Sequence, residues 1–400
     1  MSPFTKSQLE IVNSERQIWP NELCFSEGDF AERLCLVQTD IAILGLAGSL
    51  IFDPENMFWL TGFQTIGYFT FQAMYVPATG KPTVITRVVN RDMALALPTI
   101  ADVVSVFDTQ DHIVELSEFI NKFGKGEKIG LETVSRYLNI SDHQKLVTSV
   151  SAIFVDWNGV IEQFRILKSE AQLDRMRAAA RAVEAGVDAA LKEIAPGKTD
   201  NDLAAALISG STRAGSEYFG HPPMVVSGPR SELCFALWRR NEIKKGDVVL
   251  LEGAGVVDRY HAMMSRSAVV GKPTKEQKMT AEALIEVLET AIDNIKPGLT
   301  AGEVDHLCRS KIEAKGLGKY FKSRIAYGIG IGFPPNWAEG HIYSIQPNDP
   351  MVIQPNMTFH VIPTMFRKGY GMAISDSVLV TENGCESLTH YPRDLVIVDK

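Results

Sequence analysis

Among the side chains able to do chemistry, Glu252 stands out by its setting. It closes the apolar run Val248-Val249-Leu250-Leu251 and precedes Gly253 and Gly255. The run predicts a strand that ends at Glu252 with the carboxylate facing a cavity, where partial burial raises its pKa toward a useful range. Such a group can pair with a cationic substrate, act as a base or attack directly. A carboxylate held by backbone N–H groups would instead be purely structural. His261 and His360 lie in β-rich segments, where a neutral imidazole can relay a proton near pH 7 or simply be a satisfied core residue. By strand alternation His261 shares a face with Met263, and His360 with Ile362. Tyr327 can donate a hydrogen bond or pack over a cation. The Arg266 fork suits a substrate carboxylate, and equally a structural ion pair. His221, in Phe219-Gly220-His221-Pro222-Pro223, is read on a loop, either exposed or serving as a proton-transfer group. Trp337, Glu339 and His341 form a polar–aromatic group: Trp337 is expected to bound a pocket and Glu339 to hold a cationic nitrogen, unless the segment is a solvated loop.

Other chemistries are excluded by spacing. Neither Gly328-x-Gly330-x-Gly332 nor Gly253-Ala254-Gly255 has the G-x-G-x-x-G pattern of a dinucleotide site, so no nicotinamide cofactor is expected, and no other cofactor is called. The five cysteines, Cys24, Cys35, Cys234, Cys308 and Cys385, are scattered and odd in number, which is neither a disulfide framework nor a thiolate metal site. With 40 basic against 48 acidic residues in 400, net charge −8, and no basic cluster beyond Arg239-Arg240 and Lys244-Lys245, nucleic acid is not the expected partner. Residues 1–22 mix charge and polarity where a secretory leader needs an apolar run, and no stretch reaches the ~18–20 apolar residues of a membrane span. A cytoplasmic protein with no membrane partner is expected.

The elements that must position these residues fall into two parts. In the first, residues 41–50, 73–76, 82–86 and 128–131 read as strands and residues 108–123 as a helix, an α/β domain placed at 1–157 with its boundary near Trp157. Ser169 then caps a long Ala-rich helix reaching about Ile194. The second part, 158–400, contains a repeat: Pro196-Gly197-x-Thr199 matches Pro297-Gly298-x-Thr300, each at the junction of two helices and each followed by β-rich chain. Two α-α-β copies predict pseudo-two-fold symmetry with a site between the sheets, unless the match is only two similar helix stops. The expected class is α+β.

These segments together resemble the creatinase–prolidase–methionine aminopeptidase (M24-like) superfamily. The likeness is carried by Asp53-Pro54-Glu55-Asn56-Met57-Phe58-Trp59-Leu60-Thr61-Gly62-Phe63, by residues 165–177, by the repeated I-x-P-G-x-T, by residues 246–252 and by residues 376–384. The resemblance implies a C-terminal pita-bread catalytic domain behind an N-terminal creatinase/prolidase-like domain. The metallopeptidase branch holds its metals with two Asp, one His and two Glu. The matching positions here are Glu252, Met263, Tyr327, Ile362 and Ser375, so four of five lack a strong ligand and no metal is expected. A weak site from Glu252, His360 and Asp376 is the alternative. The similarity is closest to the metal-free ectoine-hydrolase and creatinase branch, through residues 328–339, 356–360 and 259–266, although that branch's proton-transfer His falls on Phe235 and a further carboxylate on Ala373. His261 and His360 are the imidazoles nearest the former metal centre. The superfamily's dimers imply a homodimer in which residues 53–63, including Phe63, and Tyr68-Phe69 reach over the partner's site. The implied function is metal-independent hydrolysis of a C–N bond in a small polar nitrogen compound, an ectoine-like cyclic amidine or guanidino acid. A lyase or isomerase on the same scaffold, or a non-catalytic binding protein, are the alternatives.

Overall fold

A computed structural model describes residues 22–399; the leader reading of the first residues lies outside them except for Glu22. The chain divides into two compact units, Met1–Phe164 and Arg165–Lys400. The division falls seven residues beyond the expected boundary because the intervening chain is tied to the first unit. Trp157 lies against Gly130, Glu162 accepts a hydrogen bond from Asn56, and Phe164 stacks on Trp59.

The first unit carries a six-stranded mixed sheet in the order Asp102–Val106, Thr83–Arg87, Gln72–Pro77, Gly48–Ile51, Lys128–Leu131 and Ile153–Asp156. One expected element is corrected. Residues 41–50 are not one strand: the helix Glu27–Ile43 ends there, Gly45 turns the chain at φ +63°, and the strand begins at Gly48. A continuous apolar run has no period to separate the two.

In the second unit the repeat is real structure. Helices Glu170–Glu193 and Asp200–Arg213 pair, as do Lys275–Asn294 and Ala301–Ala314, and each opens with a capping box, from Ser169, Thr199, Thr274 and Thr300. The corresponding loops even bridge alike, Thr199 to Glu242 and Thr300 to Val352. One sheet runs Val396–Val398, Tyr260–Val270, Val248–Val257, Met224–Ser227. A second runs Ser344–Ile345, Ala326–Gly328, Thr358–Val361, Asp376–Val380, Cys385–Ser387, and Thr364–Arg367 pairs with Tyr370–Ala373 in a third, two-stranded sheet. Each helix pair covers one apolar core: Val187, Leu203 and Leu251 on one side, Leu284, Val304 and Phe359 on the other. Single bridges from Tyr260 to Ile331 and from Ser265 to Ser375 join the first two sheets, so the chemistry-bearing strands meet at a seam.

The glycines after Glu252 do not end a strand. Val248–Val257 passes straight through them. A Cβ on Gly255 would stand 1.9 Å from the Ala179 carbonyl oxygen, so this glycine lets the long helix lie directly on the strand.

Candidate active site

At the seam is a cavity of about 280 Å³. One sheet contributes Met224, Val226, Leu250 and Glu252; the other side contributes Tyr327, Ile362, Thr364 and Phe366, with Arg324 and Trp337 from adjoining chain. The loop after Met224–Ser227 supplies Leu233, Cys234, Phe235 and Ala236. Leu250 and Glu252 both face the cavity because alternate residues of a strand share a face. Glu252 pairs in register with Met224 on one side and Ser265 on the other. It is 4 % exposed, and burial pushes its carboxyl up to about 8. The Ser265 hydroxyl draws it partly back, yet makes no well-formed hydrogen bond within the protein. Among the described residues no cation pairs with the Glu252 carboxyl.

Beside it runs a chain of hydroxyl, imidazole and hydroxyl. Tyr327 sits opposite His360 in the strand register, and its hydroxyl lies 2.7 Å from His360 Nδ1. His360 Nε2 lies 2.7 Å from Ser375 Oγ, which also accepts the Ser265 backbone N–H at 2.7 Å. Burial, and then the Arg266 guanidinium, hold His360 down at about 3, so the ring is neutral and carries one proton. When that proton sits on Nδ1 it is donated to Tyr327, whose own hydroxyl hydrogen is then free to point into the cavity. Burial and the Glu252 carboxylate push the Tyr327 phenol well above its usual range, so it acts as a donor rather than an anion.

The remaining expected site residues separate cleanly. His221 packs against Trp337 with ring centroids 4.5 Å apart, and against Phe235 at 6.2 Å, which brings an imidazole beside the position where the related branch has its histidine. Burial lowers its pKa, partly offset by the Pro222 carbonyl. Trp337 bounds the cavity as expected. His261 does not belong to the site: its Nδ1 donates to the Arg259 carbonyl at 2.9 Å and its Nε2 accepts the Gly220 N–H at 3.0 Å, and burial drives it down to about 3. Both nitrogens are spent on backbone.

Three further expectations are corrected. Arg266 is no substrate clamp, since all five of its N–H groups are engaged, by the carbonyls of Pro392, Ser265, Ser375 and Tyr391 and by Asp376. Glu339 is neither solvated nor open to a ligand; it is 1 % exposed and bound by Arg165 at 2.6 Å and Lys168 at 2.8 Å. These cations hold its carboxyl below the usual range against strong burial. It therefore positions the loop that carries Trp337. Phe63 is 1 % exposed within the first unit and presents no surface, whereas Ile66 and Phe69 nearby are open to solvent. Arg324, which sequence reasoning passed over, does line the cavity. It precedes its strand by two residues, so no alternation marks it.

Residues 174–382 match the family described as metallopeptidase family M24, and residues 33–167 match the Creatinase/Prolidase N-terminal domain. The chain belongs to family M24. Ectoine hydrolase of Halomonas elongata is 29% identical over 396 residues, which cover 94% of this chain and 98% of that protein. An Xaa-Pro dipeptidase of Pyrococcus horikoshii is 29% identical over 283 residues, covering 70% and 78%. The crystal structure of a prolidase from Thermococcus sibiricus superposes with a TM-score of 0.82 at 23% identity, over 92% of this chain and 99% of that one, which shows the pita-bread fold. The metal pair implied by the family's name does not fit the residues present. Met263 and Ile362 offer no hard donor, the Tyr327 and Ser375 hydroxyls are engaged with His360, and only Glu252 supplies an anionic oxygen. The alternative set fails as well, because Asp376 is held by Arg266, Arg393 and Thr389. Among the described residues no three His, Cys, Asp or Glu gather to hold a cation.

Proposed function

We propose that this family M24 protein is a metal-independent hydrolase that opens a C–N bond of a small amidine or guanidine compound, with Glu252 moving the proton. The observation that carries the reading is an unpaired carboxyl, buried in a metabolite-sized cavity and pushed up to about 8. At neutral pH it is mostly protonated and meets a neutral amidine as an acid; beside a bound amidinium its pKa falls and it becomes the base. Water then adds to the amidine carbon as its proton passes to Glu252. The C–N bond breaks as that proton is returned to the leaving nitrogen, and the hydroxyl left on the carbon gives its own proton to the Glu252 carboxylate as C=O forms, giving an amide, an amine and Glu252 again in its acid form. Tyr327, oriented through His360 and Ser375, donates to the oxygen that has become bonded to carbon. The likeness to an ectoine hydrolase supports the cyclic amidine class for the substrate.

The test is incubation of wild type and Glu252→Gln with ectoine, hydroxyectoine and creatine, followed by mass spectrometry. Wild type is expected to add one water mass to at least one compound, and Glu252→Gln to lose at least 10²-fold of that rate, the usual worth of a general acid–base group. No turnover of any of them removes this substrate class. The apolar walls, Ile362 and Phe235 included, favour one rival, a binding protein without turnover, for which Glu252→Gln would leave ligand affinity intact.

A further inference from the structure

Of the side chains lining the cavity, one is cationic. Arg324 is anchored on one side only: Nη1 donates to the Gly340 carbonyl at 2.9 Å and to Ser344 Oγ at 2.7 Å. Its guanidinium carbon lies 5.8 Å from the centroid of the Tyr327 ring, and its charge is felt there, lowering the phenol's pKa against burial. Among the described residues no carboxylate pairs with it, and no hydrogen bond engages Nε or Nη2. That free edge carries two parallel N–H donors on a fork whose other nitrogen is fixed, the arrangement that receives a carboxylate bidentately with little further ordering. The arginine the sequence suggested for this task, Arg266, has no free donor. The same cavity is lined by Glu252 and by a largely apolar remainder that includes Val226, Leu250, Trp337 and Ile362.

We infer that Arg324 is the specificity-determining residue for a substrate carboxylate, so that the ligand is a small monocarboxylic acid whose apolar body spans the cavity and whose nitrogen-bearing carbon meets Glu252. This assignment deepens the proposed hydrolase reading and rests on it for the reaction, while its own readout is binding. Ectoine and N-acetyl-leucine, each paired with its neutral carboxamide, serve as probes in thermal-shift and calorimetric titrations of the full chain. At least one acid is expected to bind wild type about tenfold or more tightly than its amide. Arg324→Met should bring that acid to the level of the amide. Arg324→Lys, which keeps the charge and loses the fork, should restore part of the preference. Equal responses of acid and amide in wild type, absence of response included, overturn the assignment, as does a preference that survives Arg324→Met. The two readings fail separately. A preference surviving Arg324→Met removes the carboxylate anchor alone, and undiminished turnover by Glu252→Gln removes the reaction alone.

Discussion

With a folded-state pKa of about 8 against an ordinary value of 4.5, Glu252 keeps a proton in the native protein that the unfolded chain has already released between those two pH values. Folding therefore loses stability from this group as pH rises from about 4.5 to about 8, up to an upper bound of about 5 kcal/mol at 1.36 kcal/mol per pKa unit, and the loss is complete above pH 8. Glu252→Gln removes the titration. Its melting temperature relative to wild type is expected to be close to zero difference at pH 5 and to become clearly positive at pH 9, by several degrees, while turnover is lost. A difference that does not grow with pH would show that the carboxyl is not strained by burial. Glu252 was legible because an apolar run delivers its carboxylate to the interior. The sequence leaves Arg266 open between a substrate clamp and the structural ion pair it forms, and misplaces Glu339, because a clamp and a strut use the same residue types. Their partners, Asp376 for one and Arg165 with Lys168 for the other, lie far along the chain where spacing carries no information.

Capping boxes and the repeated Pro-Gly-x-Thr turns are local signals, and the helices they start and stop are the elements that sequence reasoning placed well. What it could not place depends on contact between elements. Gly255 reads as a strand terminator, but its function is to admit the Ala179 carbonyl of the overlying helix. Gly255→Ala would put a methyl group into backbone that cannot swing aside, and separation of the helix from the strand is expected to cost about 3 kcal/mol or more. Urea unfolding would measure it, and a loss below about 1 kcal/mol would contradict the close packing. The loop at the cavity mouth was likewise illegible. Phe235 takes φ +61° and is 71% exposed, a left-handed conformation with no glycine or asparagine to announce it. His221 from the preceding loop lies with its ring 6.2 Å from that of Phe235, a proximity visible only in three dimensions.

At the scale of the molecule, the pseudo-two-fold unit brings two sheets together at the place where a family M24 enzyme is expected to gather metal ligands. At four of those five positions this chain has the apolar Met263 and Ile362 and the hydroxyls of Tyr327 and Ser375, both bonded to His360, and at the fifth a carboxyl facing a largely apolar cavity. The family was readable from motif order across most of the chain, but the reaction is decided by a handful of positions within it. Under the proposed function, catalysis depends on Glu252 and not on a divalent cation. The most direct test is the rate of amidine hydrolysis by protein stripped with a chelator, with metal content measured on the same sample and an Xaa-Pro dipeptide run alongside. Metal-free protein is expected to retain its full rate on the amidine, to leave the dipeptide intact, and to gain nothing from added Mn²⁺, Co²⁺ or Zn²⁺. Loss of the rate on stripping, with recovery on adding one of those ions, would contradict the proposed function.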